Sequence, residues 1–234
     1  MKKAFILAPP YQPPNTLPPH DNNVALWHAT LLARGFTSIV AASTPEATTL
    51  AAARSGLQTL MSSLIKGDRW TIIRTGHGYR QPDQNGDELD GYDECLACSD
   101  LGMLTDDEMA TYLAMAPAGT VGDLVDDFCY SGTADRAYMP SRSRPIRDRV
   151  IVGSGTKPAY YRYWQACEDH ELSCWGYFDG AAYSVLTKCL CDTLTATQFV
   201  PATTIFQITK DRVMGLVAGQ TPVLSGPNQD AVPF

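Results

Sequence analysis

Short apolar, β-branched runs alternate with helix-period segments along most of this chain, and that alternation leaves few folds open to it. Residues 4–8 read as a buried first strand, 37–42 as a second and 70–74 as a third. Leu124 and Val125 end a fourth, and 149–153 read as a fifth. Between them, 22–33 carries Val24, Leu26, Trp27, Leu31 and Leu32 at helical spacing before Gly35. Ser43-Thr44-Pro45-Glu46 opens a helix that continues through Leu57, Leu60, Met61, Leu64 and Ile65, with a break at Gly56 left open. Thr105 as N-cap and Glu108 three residues later form a capping box for a helix running to about Ala116. Strands alternating with helices predict an α/β fold with a mostly parallel central sheet and helices on both faces.

The rest of the chain punctuates that pattern. Residues 9–19 are Pro-rich and read as loop, 81–100 as an acidic loop, and 138–149 as a basic, Pro-containing loop. Residues 160–175 are rich in aromatics and cysteine without a clean period. Residues 176–191 read as a helix through Ala181, Ala182, Val185 and Leu186, 203–217 as another, and 220–234 as a Pro/Gly-rich tail.

At 234 residues a single domain is expected. The net charge of −7 argues against nucleic acid as a partner and suits a site that attracts basic ligands. The apolar run at 4–8 is too short for a signal sequence and no later stretch is long enough for a bilayer, so no membrane role is expected. Seven cysteines without scaffold spacing predict a reducing, cytoplasmic setting.

Ligands of open α/β sheets bind beyond the carboxyl ends of strands, and two reactive residues fall there. His77 follows the third strand between two glycines, and Cys129 follows the fourth beside Asp126 and Asp127. The 52 residues between them are enough for a crossover between parallel strands. A thiolate is the nucleophile, and a nearby base raises its population. His77 can be that base and then protonate the leaving amine. Gly78 leaves its backbone N–H free to form, with the Cys129 N–H, an oxyanion hole worth roughly 3 kcal/mol per donor.

A histidine roughly 50 residues before a cysteine is also the caspase arrangement, but the caspase signature around the cysteine is absent. Asp127-Phe128-Cys129-Tyr130-Ser131-Gly132 instead resembles the Asp-Ser-Cys-His-Ser-Gly block of metacaspases, and Thr75-Gly76-His77-Gly78 their Ser-Gly-His-Gly block. Residues 85–94 are close to the family's Asp-Gly-Asp-Glu-x-Asp-Gly-Tyr-Asp-Glu run. Residues 105–108, 176–181 and Gln220-Thr221-Pro222 are similar to further family blocks. The resemblance implies a caspase-like three-layer sandwich over residues 1–234, with a large-subunit-like part at 1–138, a linker at 139–148 and a small-subunit-like part at 149–234. It also implies cleavage of polypeptides after Arg or Lys by a protein that is usually a monomer.

Residue by residue, the resemblance makes Asp127 the carboxylate that receives the basic P1 side chain, the one preceding the scissile bond. Thr75 takes the place of a pocket serine. Residues 17–24 resemble the block that opens the first helix, with His20 where the family has Cys and Asn23 where it has an acid. Asp21 is then available to compensate from a shifted position. Phe128 and Tyr130 replace a small residue and a histidine, and can narrow the cleft or change its hydration. An activating Ca²⁺ is implied at Asp106 and Asp107, with Asp90 and, after the nucleophile, Asp135.

Other signals carry less. From Asp83 the acidic loop partly matches an EF-hand, but position 6 is Glu88 and not Gly. Cys95 and Cys98 with Cys189 and Cys191 lack the second pair or histidine of a zinc site, so structural thiols are expected. His28 reads as a surface or packing residue, His170 as a residue shaping the cleft, and Trp175 as a cleft wall or packing anchor. Arg142 and Arg147 are candidate self-cleavage sites, whereas Pro145 blocks cleavage after Arg144. Two rivals to a peptidase stay open: a silent caspase-fold binding module, and a calcium-responsive structural protein.

Overall fold

The computed structural model describes residues 1–84, 91–130, 160–168, 170–227 and 229–234. In chain order its elements are β1 (Lys2–Leu7), α1 (His20–Ala33), β2 (Ser38–Ala42), a 3₁₀ turn (Glu46–Thr48), α2 (Leu50–Ser62) and β3 (Arg69–Thr75). Then come β4 (Gly78–Pro82), β5 (Tyr92–Ala97), β6 (Met103–Thr105), α3 (Asp106–Leu113), β7 (Val121–Asp127) and β8 (Tyr160–Gln165). The chain closes with β9 (Trp175–Phe178), β10 (Ala181–Ser184), α4 (Val185–Ala196), α5 (Ala202–Leu216) and β11 (Val223–Ser225).

Six strands form the central sheet in the order β11-β8-β7-β3-β1-β2. All neighbouring pairs are parallel except β11 with β8. One core cluster, with Phe5, Leu57, Met61, Ile72, Met109 and Leu124, packs α2 and α3 on one face. The other, with Ile6, Trp27, Ile73, Val125, Leu190 and Ile205, packs α1, α4 and α5 on the opposite face. The alternation of Ile72 and Ile73, and of Leu124 and Val125, between these clusters is the strand period of two serving two buried faces. Helix α2 runs unbroken through Gly56, where a β-carbon would lie 2.5 Å from the Phe5 ring. The glycine lets the helix lie close on β1.

The described strands and helices match the expected alternation at β1, β2, β3 and β7, and Thr105 caps α3 by accepting from the Glu108 N–H at 3.2 Å. Five readings need correction. The segment expected as an acidic loop contains β4 and β5, antiparallel and extended by β6. Its acids misled because Asp93 and Glu94 are buried, with Arg80 3.4 Å from Glu94 and Gln81 donating to Asp93. Residues 160–165 form β8, whose Arg162 hides a strand buried on both sides. That guanidinium makes a two-point pair with Asp123, at 2.7 and 2.8 Å. Residues 175–184 form a hairpin and not the start of a helix, because Asp179-Gly180, both at positive φ, make its two-residue turn. Helix α4 begins only at Val185. The tail contributes the edge strand β11, and α2 stops at Ser62 before Leu64 and Ile65. The expected strand at 149–153, the basic loop and the linker boundaries lie outside the described residues.

Candidate active site

Strands β3 and β7 are neighbours, with Thr75 opposite Asp127, so the residues following them emerge side by side at the carboxyl edge of the sheet. Gly78 lies directly against the nucleophile's turn. A β-carbon there would be 2.0 Å from the Cys129 carbonyl oxygen and 2.7 Å from the Phe128 ring, so only glycine fits. Tyr130, immediately after Cys129, has φ +61°, a strained value for a bulky residue. Its N–H donates to the Glu171 carbonyl at 3.1 Å, which holds the turn.

The Pro-rich segment read only as loop supplies the setting of His77. Tyr11 Oη accepts from the His77 N–H at 2.9 Å and donates to the Ala97 carbonyl at 2.7 Å, and its ring packs 4.5 Å from the imidazole. His77 Nε2 lies 2.8 Å from the Asn15 carbonyl. A carbonyl only accepts, so Nε2 carries a proton, and in the neutral ring Nδ1 is then the nitrogen with the lone pair. The Cys129 thiol donates to the Ser173 carbonyl at 3.8 Å, and no hydrogen bond joins it to the imidazole. Burial pushes the thiol above its ordinary pKa, which favours the protonated thiol.

Strand β7 carries three buried carboxylates, and they are treated differently. Asp123 pairs with Arg162. Asp126 pairs with the buried Arg74, whose guanidinium also sits 5.2 Å from the Phe128 ring. Asp127 accepts from Ser173 Oγ at 2.8 Å and from the N–H and hydroxyl of Thr187, but has no cationic partner among the described residues. Burial raises its pKa.

Asp127 lines an open recess together with Thr75, Asn23, His20, Ser184 and Trp175. Asn23 is buried and donates to Thr75 Oγ1 at 3.2 Å and Ser184 Oγ at 2.7 Å, while its oxygen accepts from the Ser184 N–H. Thus Thr75, Asn23 and Asp127 come together and Trp175 is a recess wall. Asp21 does not join them: its side chain is 98 % exposed and is held by His20 Nδ1. Phe128 points into the core beneath Arg74, away from the recess. Tyr130 stacks with Arg80 at 5.0 Å. His28 is exposed, and His170 is exposed beside Glu168 and absent from the recess lining.

Sequence reasoning missed Tyr11, Asn15, Ser173, Ser184 and Thr187, because each acts through a contact distant in sequence. It also missed what Gln220 does. That buried side chain accepts from the Cys174 N–H and donates to the Ala166 carbonyl, tying the segment beside Cys129 to the residue that follows β8.

Asp106 and Asp107 open α3. Asp106 is buried, with Oδ2 lacking any hydrogen-bond partner among the described residues, and burial together with Asp93 and Asp107 raises its pKa to about 7. An orphaned carboxylate among like charges suits a hard cation. Among the described residues, however, no three His, Cys, Asp or Glu groups converge on a metal position. Asp90 and Asp135 lie outside the described residues. The four thiols considered for zinc are split, with Cys98 in one core and Cys189 and Cys191 in the core across the sheet. All seven cysteines are free.

The fold has solved counterparts. Protein GSU0716 from Geobacter sulfurreducens superposes with a TM-score of 0.70 at 22 % identity, covering 96 % of this chain and 93 % of that one. Caspase-1 from Spodoptera frugiperda gives 0.63 at 10 % identity, over 98 % and 90 %. The fold is therefore caspase-like, with the sheet layered between helices. In sequence, the chain is 42 % identical to Metacaspase-1 of Arabidopsis thaliana over 147 residues, 58 % of this chain and 39 % of that protein. Metacaspase-6 of the same plant is 35 % identical over 80 residues, 34 % of this chain and 22 % of that protein. The chain thus spans two-fifths or less of the length of these curated relatives. The family model "Metacaspase, peptidase C14 domain" matches residues 2–136, more than half of the chain. On that match, and with His77 and Cys129 at adjacent strand ends, the chain belongs to the metacaspase family, peptidase C14.

Proposed function

We propose that the chain is a cysteine endopeptidase that cleaves polypeptides after Arg or Lys, with Cys129 as nucleophile and His77 as base and acid. The observation that carries the specificity is Asp127: of three buried carboxylates on β7, it alone has no cation beside it among the described residues, and it lines an open recess. A buried carboxylate without a counter-charge is costly, and a P1 guanidinium or ammonium relieves that cost.

The thiol turns from Ser173 toward His77 Nδ1, which takes its proton as sulfur attacks the scissile carbonyl. The Gly78 and Cys129 N–H groups receive the oxyanion. Collapse expels the amine, which takes the proton from His77, and leaves a thioester on Cys129. Water, deprotonated by His77, then hydrolyses that thioester and restores the thiol.

For calcium, Asp106 and Asp107 would hold the ion together with Asp90 and Asp135, and Ca²⁺ would supply charge neutralisation at the start of α3. A monomer in the cytoplasm is the expected setting, in keeping with seven free thiols. Hydrolysis of matched fluorogenic peptides with Arg, Lys or Asp at P1, with Ca²⁺ and with chelator, tests the proposal. Turnover after Arg or Lys alone supports it, whereas turnover after Asp means that Asp127 is not the pocket floor. A folded protein with no turnover under either condition favours the silent binding module.

A further inference from the structure

The Asp127 recess has a second ionisable wall. His20, the first residue of α1, lines it, with its side chain 15 % exposed. Its Nε2 lies 2.8 Å from the Ala8 carbonyl and its Nδ1 lies 2.9 Å from an Asp21 carboxylate oxygen. Both partners only accept hydrogen bonds. A neutral imidazole carries one N–H and can satisfy one of them, whereas the imidazolium donates to both.

The charged and titratable groups around the ring are few. Asp21 faces it from its own helix, Asp127 lines the same recess from β7, and Cys174 lines it from the segment beside Cys129. No lysine or arginine is among the lining residues. The positive end of α1 opposes an imidazolium, and the Asp21 carboxylate at 2.9 Å works against that opposition. Asp21 therefore spends its charge on His20 at the surface and adds none to the recess. With His20 protonated the recess holds Asp127 and one opposing cation; with His20 neutral it holds a bare carboxylate.

We propose that His20 is a specificity-determining residue, whose protonated ring competes with the P1 cation for the recess and whose neutral ring admits it. The proposal rests on the peptidase reading above. Its consequence is that discrimination between a charged and an uncharged P1 side chain depends on pH, separately from any pH dependence of the catalytic pair.

Two peptides identical except for arginine or citrulline at P1 isolate this effect, because citrulline keeps the shape and loses the charge. The ratio of their kcat/KM values cancels the titration of Cys129 and His77. Where citrulline turnover is slow, the competitive inhibition constants of the same peptides give the ratio. Between pH 5.5 and 8 the arginine-to-citrulline ratio should rise on the order of fivefold, through KM more than kcat, as the nearby charge disappears. In His20→Gln the ratio should be higher at the acid end and rise less steeply, the remaining rise being that of Asp127, whose carboxyl pKa is raised by burial. In Asp21→Asn, which leaves the ring in place but removes its carboxylate, the rise should move to lower pH. A wild-type ratio that does not change with pH, or a His20→Gln protein that keeps the wild-type rise, overturns the proposal while leaving the peptidase intact. Absence of cleavage and of inhibition by either peptide removes the peptidase reading, and the proposal with it.

Discussion

Replacing Asp127 by asparagine should separate what this side chain does for the fold from what it does for substrate. In the folded protein one carboxylate oxygen accepts from Ser173 Oγ and the other from the N–H and hydroxyl of Thr187. An asparagine can place its oxygen toward Thr187 and its amide toward the Ser173 hydroxyl, which also accepts, so no buried donor or acceptor is orphaned. The charge that disappears has no cationic partner among the described residues, and burial raises the pKa of the carboxyl. An acid raised on folding contributes stability below its unfolded pKa and loses it as pH rises through the folded value. The variant escapes that loss, so its melting temperature at pH 7 should match or exceed the wild type. Catalysis should respond in the opposite sense. Removing one partner of a desolvated charge pair costs about 2–4 kcal/mol, or roughly 30- to 1,000-fold in kcat/KM for an arginine peptide. A citrulline peptide should be cleaved no more slowly than by the wild type. Steady-state kinetics on both peptides, beside thermal melts, make the comparison. A variant that cleaves the arginine peptide within threefold of wild type would refute the assignment of Asp127, and a large fall in melting temperature would refute the claim that its charge is unneeded by the fold.

Two further outcomes follow from the same geometry. Gly78→Ala drives a methyl group into the Cys129 carbonyl, so kcat should fall by about 100-fold or more through displacement of the reacting atoms; near-normal kcat would mean that the two turns do not abut. The Cys129 thiol, raised by burial, should react with iodoacetamide more slowly at pH 7 than free cysteine and gain rate as pH rises through its elevated pKa. Fast, pH-independent alkylation, followed by peptide mass spectrometry, would show a preformed thiolate instead.

The parts of this account legible in the sequence are those carried by local pattern. Apolar runs of strand length placed β1, β3 and β7, and the order of strands placed His77 and Cys129 at one edge of the sheet. Thr105 and Glu108 announced α3 through capping chemistry that lies within four residues. Elements whose stability comes from distant partners were not legible. Strand β8 contains Arg162, which reads as exposed until Asp123, 39 residues earlier, is seen beside it. Strand β5 contains Asp93 and Glu94, whose charges suggested a solvated loop although both are buried. Asp179-Gly180 is a hairpin signal in any sequence, but the small residues after it fitted a helix equally well. In the site, the resemblance brought Asp127, Thr75 and Asn23 forward, whereas Tyr11 and Asn15 sat unremarked in a proline-rich loop. That loop's role, holding the imidazole by a ring contact and the Asn15 carbonyl and the His77 backbone by the Tyr11 hydroxyl, exists only once β1 and β3 are paired. Asp21 shows the opposite case: a two-residue offset from Asn23 along α1 turns a candidate pocket acid out to solvent and onto His20.

The central claim, a Cys129 nucleophile served by a pocket for a basic side chain, is met most directly by covalent capture. A peptide chloromethyl ketone ending in arginine should alkylate Cys129, with loss of chloride and formation of a thioether, and tryptic mass spectrometry should find the adduct on that residue alone. An aspartate-terminated analogue should leave the protein unmodified, and Cys129→Ala should abolish labelling by the arginine reagent. An adduct spread over other cysteines, or equal labelling by both reagents, would contradict the account.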